Sequence, residues 1–331
     1  MIKAITYTNT KTTLPGWIDP LHEKERRGYS FENAGFYFHI YGKDYNLFHI
    51  SEGLTASEAI GKESLTDWAV RVFGAVEIVE AMCGVGEVIK GVWRPGIYYQ
   101  DQIYQALAIT EDEQRTAEQA LRILIEKLDE ILLYIEPSAT GLKSYGHKTR
   151  ELLMLTCTEV ENSWTQYMKL GSVSPAKKSF TTNDYVKLAA PLHLVDYEIT
   201  FTPFQGIVPI RPFLGWTSSS PTKSLSWYDA YNLTKHDRSS NFSQASLENC
   251  LWALSAAIAM FCARYSPFPL LEGQSTLSAL FRQHFSIGLR DPDPRSFYIP
   301  LIEPSDNFRK ELMSFSARQL MGKWSQLPLV I

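Results

Sequence analysis

Cysteine is scarce. Cys83, Cys157, Cys250 and Cys262 are the whole supply, and no two of them form a CxxC pair. That excludes a zinc site built on paired thiolates. Three of the four sit in apolar, helix-like surroundings, where a free thiol behaves as a small core residue. The expectation is a reducing, cytoplasmic setting. Long apolar runs are absent as well. The most apolar stretch, ALSAAIAMFCA (253–263), falls well short of the ~18 residues that suggest a membrane span, so no membrane partner is expected. The opening MIKAITYTNTKTTLPGW has no apolar core of the kind a secretory signal needs, and none is expected. Net positive charge is missing too: the balance is −4 over 331 residues. Bulk electrostatic attraction to nucleic acid is thereby removed, and only a local basic patch could serve such a partner.

Several chemical signatures are also absent. There is no HExxH, GxSxG, Walker A or kinase motif, and no cluster of His and Cys at metal-ligand spacing. No metal and no cofactor is called for. The glycines of CGVGEVIKG (83–91) follow a helix-like segment instead of a strand, so they are read as a helix end and a turn, not a phosphate loop.

What is present is the material of a soluble globular protein, with 45% hydrophobic and 21% charged residues. The length suits two domains or one large elaborated one. GFYFHIYGKDYNLFHI (35–50) reads as a β-hairpin turning at Gly42-Lys43-Asp44. Thr55-Ala-Ser-Glu58 has the spacing of a capping box, which predicts a short helix. Apolar residues at Trp68, Val72, Phe73, Val76 and Val79 predict a helix over 66–82. Thr110-Glu-Asp-Glu113 is a second capping box, with acidic residues against the positive helix end. A continuous apolar face then runs from Ala117 to Ile135 and Pro137 stops it. Residues 148–169 predict another long helix, and the short link between the two makes them antiparallel neighbours. The stretch 172–224 reads as strands and loops. Helices return at about 224–236 and 243–265, then a strand at 296–302 and an amphipathic helix near 306–322. The fold class expected is mainly α (α+β): a four-helix-bundle core with a β-hairpin N-terminal region and insertions. The expected divisions are an N-terminal α+β region at 1–104, a helical bundle at 105–265 with a β/loop insertion at about 172–223, and a C-terminal extension at 266–331.

The densest chemistry lies in SWYDAYNLTKHDRSSNF (226–242), directly before the most apolar helix. His236 has the one side chain here that titrates near neutrality without help. Lys235 and Arg238 donate to anions, and Arg can do so with a bidentate fork. Asn232 stands one helical turn before His236, so both can face one way. The plainer reading is a helix C-terminus, where Lys, His and Arg meet the negative end of the dipole. A second group, Tyr145, His147, Lys148 and Arg150, precedes the second long helix. Its His147/Glu151 spacing is that of an ordinary surface ion pair. His193 and His284 stand alone.

The order of long helices, followed by a helix ending in YNLTKH and an Ala-rich helix, resembles the HEPN fold over roughly 105–265. HEPN proteins carry Arg, a polar residue, spacers and then His before the last core helix. Asn232 and His236 fall on the polar and His positions, while Tyr231 stands where Arg is usual. The run Asn-x-x-Lys-His-x-Arg (232–238) is similar to that of uncharacterised bacterial HEPN-like proteins. The resemblance implies an anionic ligand, RNA or a nucleotide, and a homodimer paired across the motif. It also implies metal-independent ribonuclease activity in which His236 acts as acid/base and Asn232 positions. Lys235, Arg238 and Tyr231 would then hold the substrate. Tyr cannot supply the permanent charge that Arg gives to a phosphate. The alternative is a non-catalytic HEPN-like scaffold or interaction module in which the Lys-His-Asp-Arg cluster is structural.

Overall fold

A computed structural model describes residues 2–11, 26–43, 47, 49–59, 61, 63–176, 178–204, 206–304, 311–314 and 321–331. The strands are β1 (Ala4–Thr8), β2 (Arg27–Asn33), β3 (Phe36–Lys43), β4 (His49–Glu58), β5 (Val76–Glu80), β6 (Glu87–Ile89), β7 (Tyr197–Phe201), β8 (Phe285–Leu289), β9 (Glu311–Ser314) and β10 (Ser325–Leu327). Among the described residues the helices of eight residues or more are α1 (Leu65–Phe73), α2 (Gln100–Leu107), α3 (Glu111–Leu132), α4 (His147–Leu170), α5 (Ser226–His236), α6 (Leu247–Tyr265) and α7 (Thr276–His284). The chain divides into two units. One contains Met1–Lys90, Arg94–Ala108 and Asp291–Leu327; the other contains Gly91–Trp93, Ile109–Arg290 and Pro328–Ile331. The stretch after 265 is thus shared between them.

The first unit is built on a six-stranded antiparallel sheet in the order β5-β1-β2-β3-β4-β9. Alternation along β3 sends Phe36, Phe38 and Ile40 to one face and Tyr37 to the other. The first face packs against Phe297, Ile299 and Ile302, and the second against Trp68, Ala69 and Phe73 of α1. Both faces are covered, which is why these strands are so aromatic. The β2–β3 connection pairs Asn33 with Phe36 and leaves Ala34 and Gly35 as a two-residue turn. Both have positive φ, 48° and 81°, as a type I′ hairpin requires. Gly35 adopts that conformation without strain; Ala34 does so at some steric cost.

In this unit the expected hairpin within 35–50 is present as β3 and β4, although Asp44 to Asn46 and Phe48 lie outside the described residues. The helix expected at Thr55 is instead the end of β4. Leu54 and Ala56 alternate into the sheet core, and that burial outweighs the local cap spacing. The helix expected over 66–82 stops at Gly74, which takes the left-handed conformation of a C-cap. Val76 and Val79 then belong to β5, an edge strand on which both are exposed. SFYIPLI (296–302) starts on the last residue of a one-turn helix (Pro294–Ser296) and continues as an irregular segment with one bridge, Ile302 to Met321, rather than a strand; of the last expected helix, 311–314 is β9 and no helix is present at 321–322.

The second unit is centred on α6. Leu247, Cys250, Leu251, Leu254, Ile258 and Cys262 are buried, and so are the intervening Ala253, Ala256 and Ala259. A helix apolar all round is an enclosed one. α3, α4, α5 and β7 all pack on it, α7 packs on α3, and β7 pairs antiparallel with β8. This corrects the expected fold class. A four-helix bundle needs four comparable amphipathic helices sharing one central seam. Here one helix fills the centre and α5 is only 11 residues long. A two-stranded sheet completes the packing, and the sheet unit is a separate half of the fold. The chain is α+β without a four-helix-bundle core. No helix among the described residues is long and apolar enough to cross a membrane.

Candidate functional site

α5 owes its position to one apolar face. Trp227, Tyr228, Ala230, Tyr231 and Thr234 are buried, and α4 and α6 pack against it. The helix stops because Asp237 leaves helical geometry, with φ −139° and ψ 83°. Its carboxylate then accepts from Ser240 N at 3.2 Å and Ser239 Oγ at 2.7 Å. These bonds hold the carboxyl below its ordinary range.

The five residues singled out in this run do not converge. Tyr231, in the position where HEPN proteins carry Arg, is 2% exposed. Its phenol oxygen accepts from Lys235 Nζ at 2.8 Å, and the ammonium lies 4.9 Å from the centre of the same ring. That bond raises the Lys235 pKa and folds the side chain back along its own helix. Asn232 Nδ2 donates to Tyr228 O at 2.8 Å, also within the helix. His236 is exposed and makes no hydrogen bond or ion pair among the described residues. Arg238 lies over Phe242, with its guanidinium carbon 5.2 Å from the ring centre. Below this surface Tyr228 donates to Glu161 Oε1 at 2.6 Å.

Phe242 is the residue that gathers neighbours. Besides Arg238 it meets Tyr145, edge-on at 5.5 Å, and His147 at 5.2 Å. These come from the start of α4, which is tied to the start of α6 by Leu247 N donating to Ser144 O at 2.9 Å. Tyr145 is 52% exposed. Arg150 Nη2 donates to Thr234 O at 3.3 Å, linking α4 to α5. The result is a corner in which the Arg238 guanidinium, the His147 imidazole and the Tyr145 ring meet around Phe242. Lys148 is turned away and paired with Glu130. Glu151 pairs with Lys127 at 2.6 Å and not with His147 as its spacing suggests; Lys127 lowers its carboxyl pKa. His284, solitary in sequence, is buried with Nε2 2.8 Å from Asp129 Oδ1. His193 begins a one-turn helix in left-handed conformation.

Phe242 gave no signal in the sequence beyond a turn residue. A second feature was equally hidden: a cleft of about 1040 Å³ among α3, α4 and α6, lined by Glu113, Ala117, Ala120, Asn162, Ala257 and Arg264 with others. Glu113 reads in sequence only as part of a cap. Among the described residues, no group of three or more His, Cys, Asp or Glu is placed to hold a metal ion.

No family model matches this sequence, and neither a curated protein nor a solved structure matches it.

Proposed function

We propose that the Phe242 corner binds single-stranded RNA or a nucleotide, as the resemblance to HEPN proteins implies for this run, and that it does so without cleaving it. The observation that carries the reading is the grouping of Arg238, His147 and Tyr145 around one ring. Bases stack on aromatic side chains and on guanidinium planes, at about 1–3 kcal/mol per base. Arg238, just beyond the end of α5, lies against that surface and offers charge to phosphate. Strand cleavage as the resemblance implies it would need a cation in the Tyr231 position to stabilise the developing charge. Tyr231 is buried beneath Lys235, and Lys235 is engaged on that phenol, so neither supports a cleaving role. Pairing of two copies across the corner would double a modest basic patch without any excess of net charge. A reducing, cytoplasmic setting completes the reading, and the four cysteines carry free thiols.

The test is fluorescence anisotropy with a labelled single strand of about ten nucleotides at about 50 mM salt, where phosphate contacts are strongest. Binding weakened roughly tenfold by Tyr145→Ala, with folding intact, supports stacking at the corner. Wild-type protein that ignores both RNA and nucleotides sinks the reading. Cleavage products that vanish in His236→Ala restore the nuclease.

A further inference from the structure

We infer that the cleft among α3, α4 and α6 is a binding site for a small amphipathic amine, with the Glu113 carboxylate as its counter-ion. The cleft is independent of the Phe242 corner and lies wholly within the second unit.

Its space follows from residue size. Leu121, Leu124 and Leu128 of α3 are buried, but one turn earlier the same helix offers Ala117 and Ala120, and α6 faces them with Ala257. Side chains that stop at Cβ leave about 1040 Å³ between the three helices. That is at the upper end of the range for pockets that enclose a drug-sized molecule, roughly 300–1,000 Å³. Met260 and Phe261 of α6 give the remaining wall an apolar surface.

Glu113 supplies the polar anchor. One carboxylate oxygen, Oε1, accepts from Arg264 Nε at 3.0 Å, from Arg264 Nη2 at 2.7 Å and from the Tyr265 hydroxyl at 3.3 Å. All three donors meet the same oxygen. Oε2 receives none of them, and the side chain is 36% exposed where it lines the cleft. The carboxylate is therefore held in place at one oxygen and open at the other. Arg264 is 13% exposed and committed to Glu113. An anionic ligand would have to displace that pair. Around the rest of the lining, Asp112 and Glu159 stand against Lys169, so the balance of charge again favours a cation. An ammonium can donate to Oε2 without breaking any bond the protein already makes, and a charge-assisted bond of this kind is among the stronger ones. The alanine-floored cavity behind it takes an aryl or short alkyl body.

The probes are 3-phenylpropylamine, 3-phenylpropanol and 3-phenylpropionate, titrated by calorimetry into the full chain. Saturable binding of the amine, at least tenfold tighter than the propionate, is expected. Ala117→Leu fills the cleft, leaves the Glu113–Arg264 pair untouched, and should abolish amine binding while preserving the melting temperature. Glu113→Gln should weaken the amine about tenfold or more and erase its advantage over the alcohol. Because Glu113→Gln also disturbs a packed ion pair, the Ala117→Leu result stands by itself if that variant unfolds. Three results would overturn the proposal: propionate binding as tightly as the amine, amine binding unaffected by Ala117→Leu, or no saturable binding of any probe.

Discussion

Raising the pH above 10 should unfold this protein cooperatively, and the first unit should go first. Tyr7, Tyr29 and Tyr298 of that unit are each 1% exposed or less, and burial pushes their phenols well above the ordinary value. In the second unit burial does the same to Tyr228 and Tyr265, with the Glu161 and Glu113 carboxylates adding to it. A phenol is neutral when protonated. The folded state keeps these protons at a pH where the unfolded chain, titrating near 10, has released them. The stability contributed is thus intact below about pH 10 and falls as pH climbs, at about 1.4 kcal/mol per pH unit for each buried phenol. Three such groups remove about 4 kcal/mol per pH unit from the first unit, and two remove about 3 kcal/mol from the second. Against a domain stability of about 5–10 kcal/mol, the first unit is exhausted within roughly one to three pH units. Tyrosinate absorbance and far-UV circular dichroism, followed together against pH, test this. After a gradual ionisation of exposed tyrosines, a sharp rise in tyrosinate should coincide with loss of the dichroism signal. Ionisation of every tyrosine near pH 10, with secondary structure unchanged, would refute the burial assignments.

Ala108 closes α2 in left-handed conformation, with φ 50° and ψ 57°, so Ala108→Gly should raise the urea midpoint by the equivalent of about 1 kcal/mol. Leu254 is wholly buried at the centre of α6, and Leu254→Ala should cost about 2–5 kcal/mol through the cavity it leaves. His236→Ala removes a side chain with no hydrogen bond or ion pair among the described residues and should leave the urea midpoint where it was. A midpoint lowered as far as by Leu254→Ala would mean that the His236 cluster holds the helices together.

The long helices were readable because their signals are local. Thr110 accepts from Glu113 N at 3.1 Å as the cap spacing predicts, and α3 begins at Glu111. α4 spans His147–Leu170 against an expected 148–169. Even here Pro137 was a poor guide to the end of α3. The helix stops at Leu132, and Leu133 and Tyr134, which extend the apolar pattern, are 76% and 80% exposed. The sheet was less readable because its pairings are distant: Leu54 stands opposite Ser314. Thr55 to Glu58 satisfied a helix-start spacing, yet strand pairing and burial on the sheet decided their conformation. The fold class failed for a related reason. The apolar richness of α6 was visible, but complete enclosure and a shared face look alike in a run of Ala, Leu and Ile. The functional residues show the same limit. Tyr231 to Arg238 stood out as a cluster in sequence, but 100° per residue along α5 sends Tyr231 inward and His236 outward, and Arg238 follows only after the helix has ended at His236. Phe242 meets Tyr145, and Arg264 meets Glu113 across a separation of 151 residues. No periodicity records either meeting.

Arg238 offers the most direct test of an RNA-binding corner. The affinity for a short single-stranded RNA should be followed across salt concentration for the wild type, Arg238→Gln and Phe242→Leu. If Arg238 holds phosphate, its loss should weaken binding at low salt and flatten the log–log slope by about 0.7, the share of one released counterion on a single strand. Phe242→Leu should weaken binding by a similar factor at every salt concentration, because stacking carries no charge. Three superimposable salt titrations would contradict the account and place any RNA contact elsewhere on the protein.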